Sequence, residues 1–188
     1  FSNEGFPFGT SRVVDLGYAR VRASRLTFVG ELGFELLIES EFAAHVWEVL
    51  AEAGQDLGLK PAGYFALNAL RMEKGYRHWG HDIGEEDTPF NAGLGFAVAM
   101  EKAAGFIGRD ALVAQKAEGV VKRRLVQVML TGGPDAPMLY HYEPLIRDGE
   151  LVGSVMSGAY GHRVEASLGL GYVRHPEGVR KDWLESGT

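Results

Sequence analysis

Two apolar periods, kept apart along the chain, most constrain what it can fold into. Between Phe42 and Lys74 the apolar residues recur three and four apart, which lays a stripe along a helix. From Lys122 onward they fall in short alternating runs broken by turn residues, the texture of strands and tight connections. Helical and strand segments segregated in this way specify an α+β chain. At 188 residues with 46% hydrophobic content, one or two compact domains can bury most of the surface the unfolded chain exposes.

The opening segment is loop-like, and strands follow over 13–15 and 19–29, rich in β-branched residues with polar alternation. Gly30-Glu31-Leu32-Gly33 supplies a tight connection. Beyond it Phe34, Leu36 and Ile38 share one face and Glu35, Leu37 and Glu39 the other, which reads as the return strand of a hairpin. Ser40 is placed to cap an amphipathic helix through Phe42, Val46, Trp47 and Leu50 that stops at Gly54 or Gly58. A second helix starts with Pro61 in its first turn, is apolar around much of 64–74 and so buried on several sides, and ends at Gly75. A strand over 94–100 and a short helix over 108–117 complete the first part. The second part has strands over 124–130, 144–147, 151–156 and 168–173 with a turn at Asp148-Gly149, a small β-barrel or sandwich. We place the boundary near residue 118, giving domains 1–118 and 119–188.

Composition excludes several function classes. A net charge of −6 with scattered Lys and Arg gives no electrostatic footprint for nucleic acid. No run approaches the roughly 18 apolar residues of a membrane span, so neither nucleic acid nor membrane is an expected partner. Without cysteine the chain has no disulfide, thiol nucleophile or Fe–S ligand. It starts at Phe1, which we read as an internal fragment of a longer polypeptide.

Glu35 is the foremost candidate site residue. Its strand is apolar on both faces, so its carboxylate is expected to be partly desolvated and to need a partner. That partner is either an Arg or a ligand with a planar donor–donor edge, such as the 2-amino and N3–H edge of a pterin. Tyr64, Leu67, Asn68 and Arg71 share one helix face, the wall of a ligand cleft or an interhelical contact. Arg71 suits an anionic group or a salt bridge. His78-x-x-His81-Asp82, with Glu85, Glu86 and Asp87, offers metal-ligand atoms at spacings unlike the usual zinc sites, and solvated loop side chains explain the same letters; we assign no metal. Gly93-x-Gly95 and Gly169-x-Gly171 lack the third glycine of a dinucleotide loop, and no Ser or Thr stands in a nucleophile elbow.

Three runs carry a family resemblance: Pro7-Phe8-Gly9-Thr10-Ser11-Arg12, Gly30-Glu31-Leu32-Gly33-Phe34-Glu35 and Leu70-Arg71-Met72-Glu73-Lys74-Gly75. In this order they resemble the glycine-cleavage T-protein (aminomethyltransferase) superfamily. The continuation Arg77-His78-Trp79-Gly80-His81-Asp82 is more similar to its dimethylglycine and sarcosine dehydrogenase branch. The resemblance implies the later portion of a folate-binding α+β domain followed by a C-terminal β-barrel that lacks its last strand beyond 183–188.

In such proteins a flavin domain oxidises an N-methyl amine, and tetrahydrofolate captures the one-carbon unit as 5,10-methylenetetrahydrofolate. By this resemblance Glu35 grips the pterin, with Phe28, Tyr64 and Arg71 as further folate-binding candidates. Phe28 stands where relatives often place a Tyr, keeping a stacking ring without its hydroxyl, and Leu67 falls where glycine-cleavage enzymes carry an Arg. The family's catalytic Asp and the FAD domain are expected upstream of Phe1. This chain is therefore assigned no catalytic residue and is expected to be inactive alone. The partners implied are folate, a small amine and the upstream polypeptide, in the cytoplasm or, for a eukaryote, the mitochondrial matrix. Two other readings carry the same fold: a regulatory or structural relative without one-carbon transfer, and a sulfonium-compound demethylase.

Overall fold

The structure, a computed structural model, describes residues 2–186. It is α+β, and the chain divides into two compact units, Phe1–Arg71 and Met72–Thr188.

In the first unit, β1 (Ser11–Leu16), β2 (Ala19–Ser24) and β3 (Glu35–Leu37) form an antiparallel sheet in that order. Along β2 the alternation is strict: Ala19, Val21 and Ala23 are buried, while Arg20 and Arg22 face out. The buried face packs on α1 (Ala43–Gly54) through Val46, with Val14, Leu16, Leu36, Ile38 and Phe42 around this core. At the β1–β2 turn Gly17 has φ 60°, and a Cβ there would lie 2.2 Å from His45 Nε2. The closeness is used: the Tyr18 amide donates to that nitrogen at 3.2 Å and the two rings stack.

The expected strand over 19–29 is shorter than its sequence texture suggests. Arg25 takes the chain off the sheet: its amide donates to the Thr10 carbonyl, its own carbonyl accepts from Gly9, and its buried guanidinium donates to Phe6 O at 2.6 Å and to Asn3. The tight turn expected at 30–33 is therefore the end of a longer loop, in which the Gly30 amide donates to Thr27 Oγ1. Ser40 does not cap α1; it lies inside a 3-10 turn, Ser40–Phe42, that precedes the helix. The expected helix residues are present, but Trp47 is 57% exposed while Val46 is fully buried. Both anticipated stops operate, since α1 ends at Gly54 and a 3-10 turn then closes at Gly58 with φ 75°.

Helix α2 (Tyr64–Glu73) begins after Pro61 rather than including it, and Gly75, at φ 63°, donates to the Met72 carbonyl to end it. Its burial on several sides holds only at the C-terminal end: Arg71 and Met72 are buried, whereas Phe65 is 93% exposed.

In the second unit, residues 94–100 form no strand. They carry a 3-10 turn, Gly95–Ala97, whose bonds Ala97 N–H to Leu94 O and Val98 N–H to Gly95 O engage these groups locally instead of in a ladder. Helix α3 (Arg109–Glu118) ends at Gly119 in the left-handed region, as its sequence indicates. Then β4 (Arg123–Met129), β5 (Pro144–Arg147), β6 (Glu150–Gly161) and β7 (Ala166–Arg174) form an antiparallel sheet in the order β4-β7-β6-β5, followed by α4 (Lys181–Glu185). Asp148 and Gly149 both have positive φ, as a two-residue hairpin turn requires.

Strand β6 runs past the expected end at 156. Ser157 and Gly158 look like strand breakers, yet the Ser157 hydroxyl has a buried partner in Asp82 and Gly158 has no side chain to obstruct the Leu139 carbonyl. A bulge between Val155 and Ser157 absorbs the change in register. Of the 183–188 segment expected to precede a missing strand, Trp183 lies on α4, and Gly187 and Thr188 fall outside the described residues.

Candidate functional site

The four residues singled out for ligand binding all lie in the first unit. Phe28 and Glu35 belong to the connection between β2 and β3: Phe28 is partly exposed in the loop, and Glu35 opens β3 opposite Ser24. Tyr64 opens α2 and is exposed; Arg71 sits in its last turn, 1% exposed, with Nε donating to Asn68 Oδ1 at 3.2 Å. That bond brings Asn68 and Arg71 together on the face inferred from their spacing, and Leu67 beside them is half-buried.

Glu35 departs from expectation in one respect. Its carboxylate is exposed rather than partly desolvated, because β3 presents Glu35 and Leu37 on the face turned away from the Val46 core, where Leu37 is also exposed. No arginine pairs with it among the described residues, so the structural ion pair weighed for it does not form. Both carboxylate oxygens remain available as acceptors. A carboxylate in that state can take two parallel N–H bonds from one planar edge.

The polar run after α2 is built differently. Asp82 is 1% exposed and is the hub: Oδ2 accepts from the His78 amide at 2.8 Å and Oδ1 from the Ser157 hydroxyl at 2.5 Å. Arg77 donates to the backbone carbonyls of Gly75 at 2.7 Å and Ala92 at 3.0 Å, tying the loop to the segment after Pro89. Burial pushes this guanidinium below its ordinary pKa, against the opposing influence of Tyr172 and Asp82. The His81 ring stacks on His141 at 4.8 Å, and Trp79 is exposed. Among the described residues, no three His, Asp or Glu side chains gather as a metal site would require.

A cluster the sequence did not reveal joins Asp87, Arg123 and Tyr172. Arg123 donates to the Asp87 carboxylate, and its guanidinium carbon lies 3.4 Å over the Tyr172 ring. Burial alone would raise the Asp87 carboxyl, but the bonds from Arg123 and the Gly84 amide outweigh it and hold the group below the usual carboxylate range. The buried Tyr172 hydroxyl lies near the pair without a well-formed hydrogen bond, and burial together with the Asp87 charge raises it well above its ordinary value. The β4–β7 ladder brings Arg123 and Tyr172 together and the loop after Gly84 adds Asp87, so no local motif announces them.

The glycine pairs set aside as nucleotide loops are structural. Gly169 and Gly171 lie within β7, where a Cβ would press on Val128 and on the Ser154 carbonyl. Gly93 and Gly95 lie in and beside the 3-10 turn. No helix among the described residues is long and apolar enough to cross a membrane.

Comparison with known proteins gives the chain's relatives. Residues 1–102 match the family model described as GCVT N-terminal domain, and residues 123–188 match the glycine cleavage T-protein C-terminal barrel domain. The chain is 44% identical over 170 residues to 4-methylaminobutanoate oxidase (formaldehyde-forming) of Paenarthrobacter nicotinovorans, covering 90% of this chain and 20% of that protein. It is 40% identical over 188 residues to mitochondrial sarcosine dehydrogenase of Mus musculus, covering 99% of this chain and 20% of that protein. The crystal structure of the glycine cleavage system aminomethyltransferase T from Bartonella henselae superposes with a TM-score of 0.75 at 26% identity, over 92% of this chain and 46% of that one. The chain thus spans about a fifth of the length of the oxidase and the dehydrogenase. With both of its domain models matched in order, the chain belongs to the glycine cleavage T-protein family.

Proposed function

We propose that this chain is the tetrahydrofolate-binding part of a flavin-dependent N-methyl amine dehydrogenase and helps transfer the one-carbon unit to the folate. The observation that carries the reading is Glu35: an exposed carboxylate, with neither oxygen engaged among the described residues, on the run that matches the family. The names of the oxidase and of sarcosine dehydrogenase support an N-methyl amine as the substrate class.

Tetrahydrofolate, when bound, supplies the two nitrogens that accept the one-carbon unit. Toward it, Glu35 would accept the donor–donor edge of the pterin, Phe28 would offer a ring face and Tyr64 would line the helix wall, while Arg71, buried and bonded to Asn68, would act by holding that wall. These residues contribute by orienting the acceptor rather than by moving protons. Among the described residues no glycine sits between a strand and a helix N-terminus in the pattern a flavin dinucleotide requires, so no step is assigned to FAD here. We place FAD and the catalytic Asp in an upstream region, a placement supported by the fifth of its relatives' length that the chain spans. The unmatched interval 103–122 supports a domain boundary near residue 118 along the sequence, whereas the compact units of the structure part between Arg71 and Met72. The mitochondrial mouse relative supports the matrix as the compartment of a eukaryotic form, with the cytoplasm otherwise.

The test is calorimetric titration of tetrahydrofolate, under reducing conditions, into the chain and into Glu35→Gln and Glu35→Ala. Charge-assisted bonds are worth about 1.5–3 kcal/mol each, so either variant should bind at least about tenfold more weakly. Equal affinity in all three would remove Glu35 from the site.

A further inference from the structure

The sheet of the second unit bears a cavity of about 430 Å³, lined by residues of β4, β5, β6 and β7 and by Tyr142 just before β5. Its polar lining is Arg123, Arg174, Ser154, Tyr142 and Tyr172, and it has no acidic lining residue, although the chain carries a net charge of −6. The cavity is thus a local reversal of the protein's overall charge. Its remaining lining, Leu151 and Met156 among it, is apolar.

Two features show that the cationic character is built rather than incidental. In the β4–β7 ladder Arg123 stands directly opposite Arg174, and like charges in direct opposition destabilise an antiparallel pair. Arg123 is compensated by Asp87 and by the Tyr172 ring, whereas Arg174 is exposed and has no hydrogen-bond or ion-pair partner among the described residues. One uncompensated guanidinium fork therefore faces the cavity. Tyr142, at the rim, has φ 69°, a conformation bulky side chains rarely adopt. It is held there by its amide bond to Val155 O at 2.8 Å and by the Val155 amide bond to Glu143 O at 2.9 Å, and the residue is 73% exposed with one side of its ring against His141. A strained aromatic residue kept at a cavity mouth points to a ligand clamp.

We propose that this cavity binds a small organic carboxylate with a flat apolar body, its carboxylate taken by Arg174 and Ser154 and its body by Tyr142 and Leu151. A single free guanidinium matches the two oxygens of one carboxylate, and the apolar lining favours an organic anion over inorganic phosphate. The site is independent of the folate reading, since its residues belong to the second unit and its probe is a different molecule.

The experiment titrates benzoate into the isotopically labelled chain and follows amide signals by NMR, with benzamide as the neutral isostere and inorganic phosphate as the competing anion. Saturable shifts at Ser154 and Tyr172 are expected, with benzamide and phosphate each at least about tenfold weaker. Arg174→Gln should weaken benzoate by about tenfold or more, Arg174→Lys should retain part of the affinity, and Tyr142→Ala should lose several-fold. The Arg174 side chain is exposed and has no hydrogen-bond or ion-pair partner among the described residues, so the folded spectrum should persist in its variants. Absence of saturable shifts, benzamide or phosphate binding as tightly as benzoate, or an unchanged affinity in Arg174→Gln would each overturn the proposal.

Discussion

Replacing Gly153 by Ala tests how the sheet of the second unit is assembled. A Cβ built there lies 1.8 Å from the Tyr172 carbonyl oxygen, 2.8 Å from its carbon and 3.0 Å from the Val173 Cα. All three are backbone atoms of β7, so no side chain can swing aside. Real Cβ atoms essentially never approach closer than 3.0 Å, so relief requires the strands to part by at least 3.0 − 1.8 = 1.2 Å. Separation on that scale carries an N–H···O distance from about 2.9 Å to about 4 Å, beyond any useful hydrogen bond. Two ladder bonds between β6 and β7 are then lost at about 1 kcal/mol each, with at least about 1 kcal/mol of residual overpacking, about 3 kcal/mol together.

Equilibrium unfolding in urea reads this directly. With a slope of about 2 kcal/mol/M, the midpoint should fall by roughly 1.5 M. Amide exchange should show the loss of protection confined to β6 and β7. Gly84→Ala is the matched control, because a Cβ there meets nothing within 4 Å; it should leave the midpoint unchanged or raise it slightly. A Gly153→Ala midpoint within about 0.3 M of that control would refute the close approach and the packing argument built on it.

Two further predictions follow from the buried polar groups. Ser157→Ala removes one donor from the Asp82 carboxylate and should cost about 2 kcal/mol in urea unfolding, whereas a cost under about 0.5 kcal/mol would mean that Asp82 relies on other donors. Asp87 titrates below its unfolded value, so its stabilising contribution is present above the unfolded carboxylate pKa of about 3.9 and is lost as pH falls through the lower folded value. Asp87→Asn should therefore be less stable than the parent at pH 6, with the gap closing as pH drops below about 4; a gap that stays constant with pH would exclude this linkage.

The sequence was most legible where local chemistry and burial agree. Helix α3 ends at Gly119, and β5 turns at Asp148-Gly149, because a left-handed residue is needed there whatever surrounds it. It was least legible where a distant partner overrides the local pattern. Residues 25–29 have strand composition, yet Arg25 leaves the sheet to hold the opening segment. Ser157-Gly158 has breaker composition, yet stays in strand because Asp82 and Leu139 suit it. Glu35 was recognisable as a candidate, but its exposure depends on which face of β3 the Val46 core takes. The Arg123–Arg174 pairing was invisible because it arises only when β4 docks on β7.

The sheet order also carries a kinetic consequence. Strands β5, β6 and β7 follow one another as neighbours, so each can zip onto the last through a short closure, the first over Asp148-Gly149. Strand β4 must instead wait for the far side of β7, pairing Met129 with Leu168 across the whole intervening meander. Contacts that close large loops form late in folding. We therefore expect pulse-labelled amides of β6 and β7 to become protected before those of β4, so that the arginine-bearing edge is the last part of the sheet to be completed.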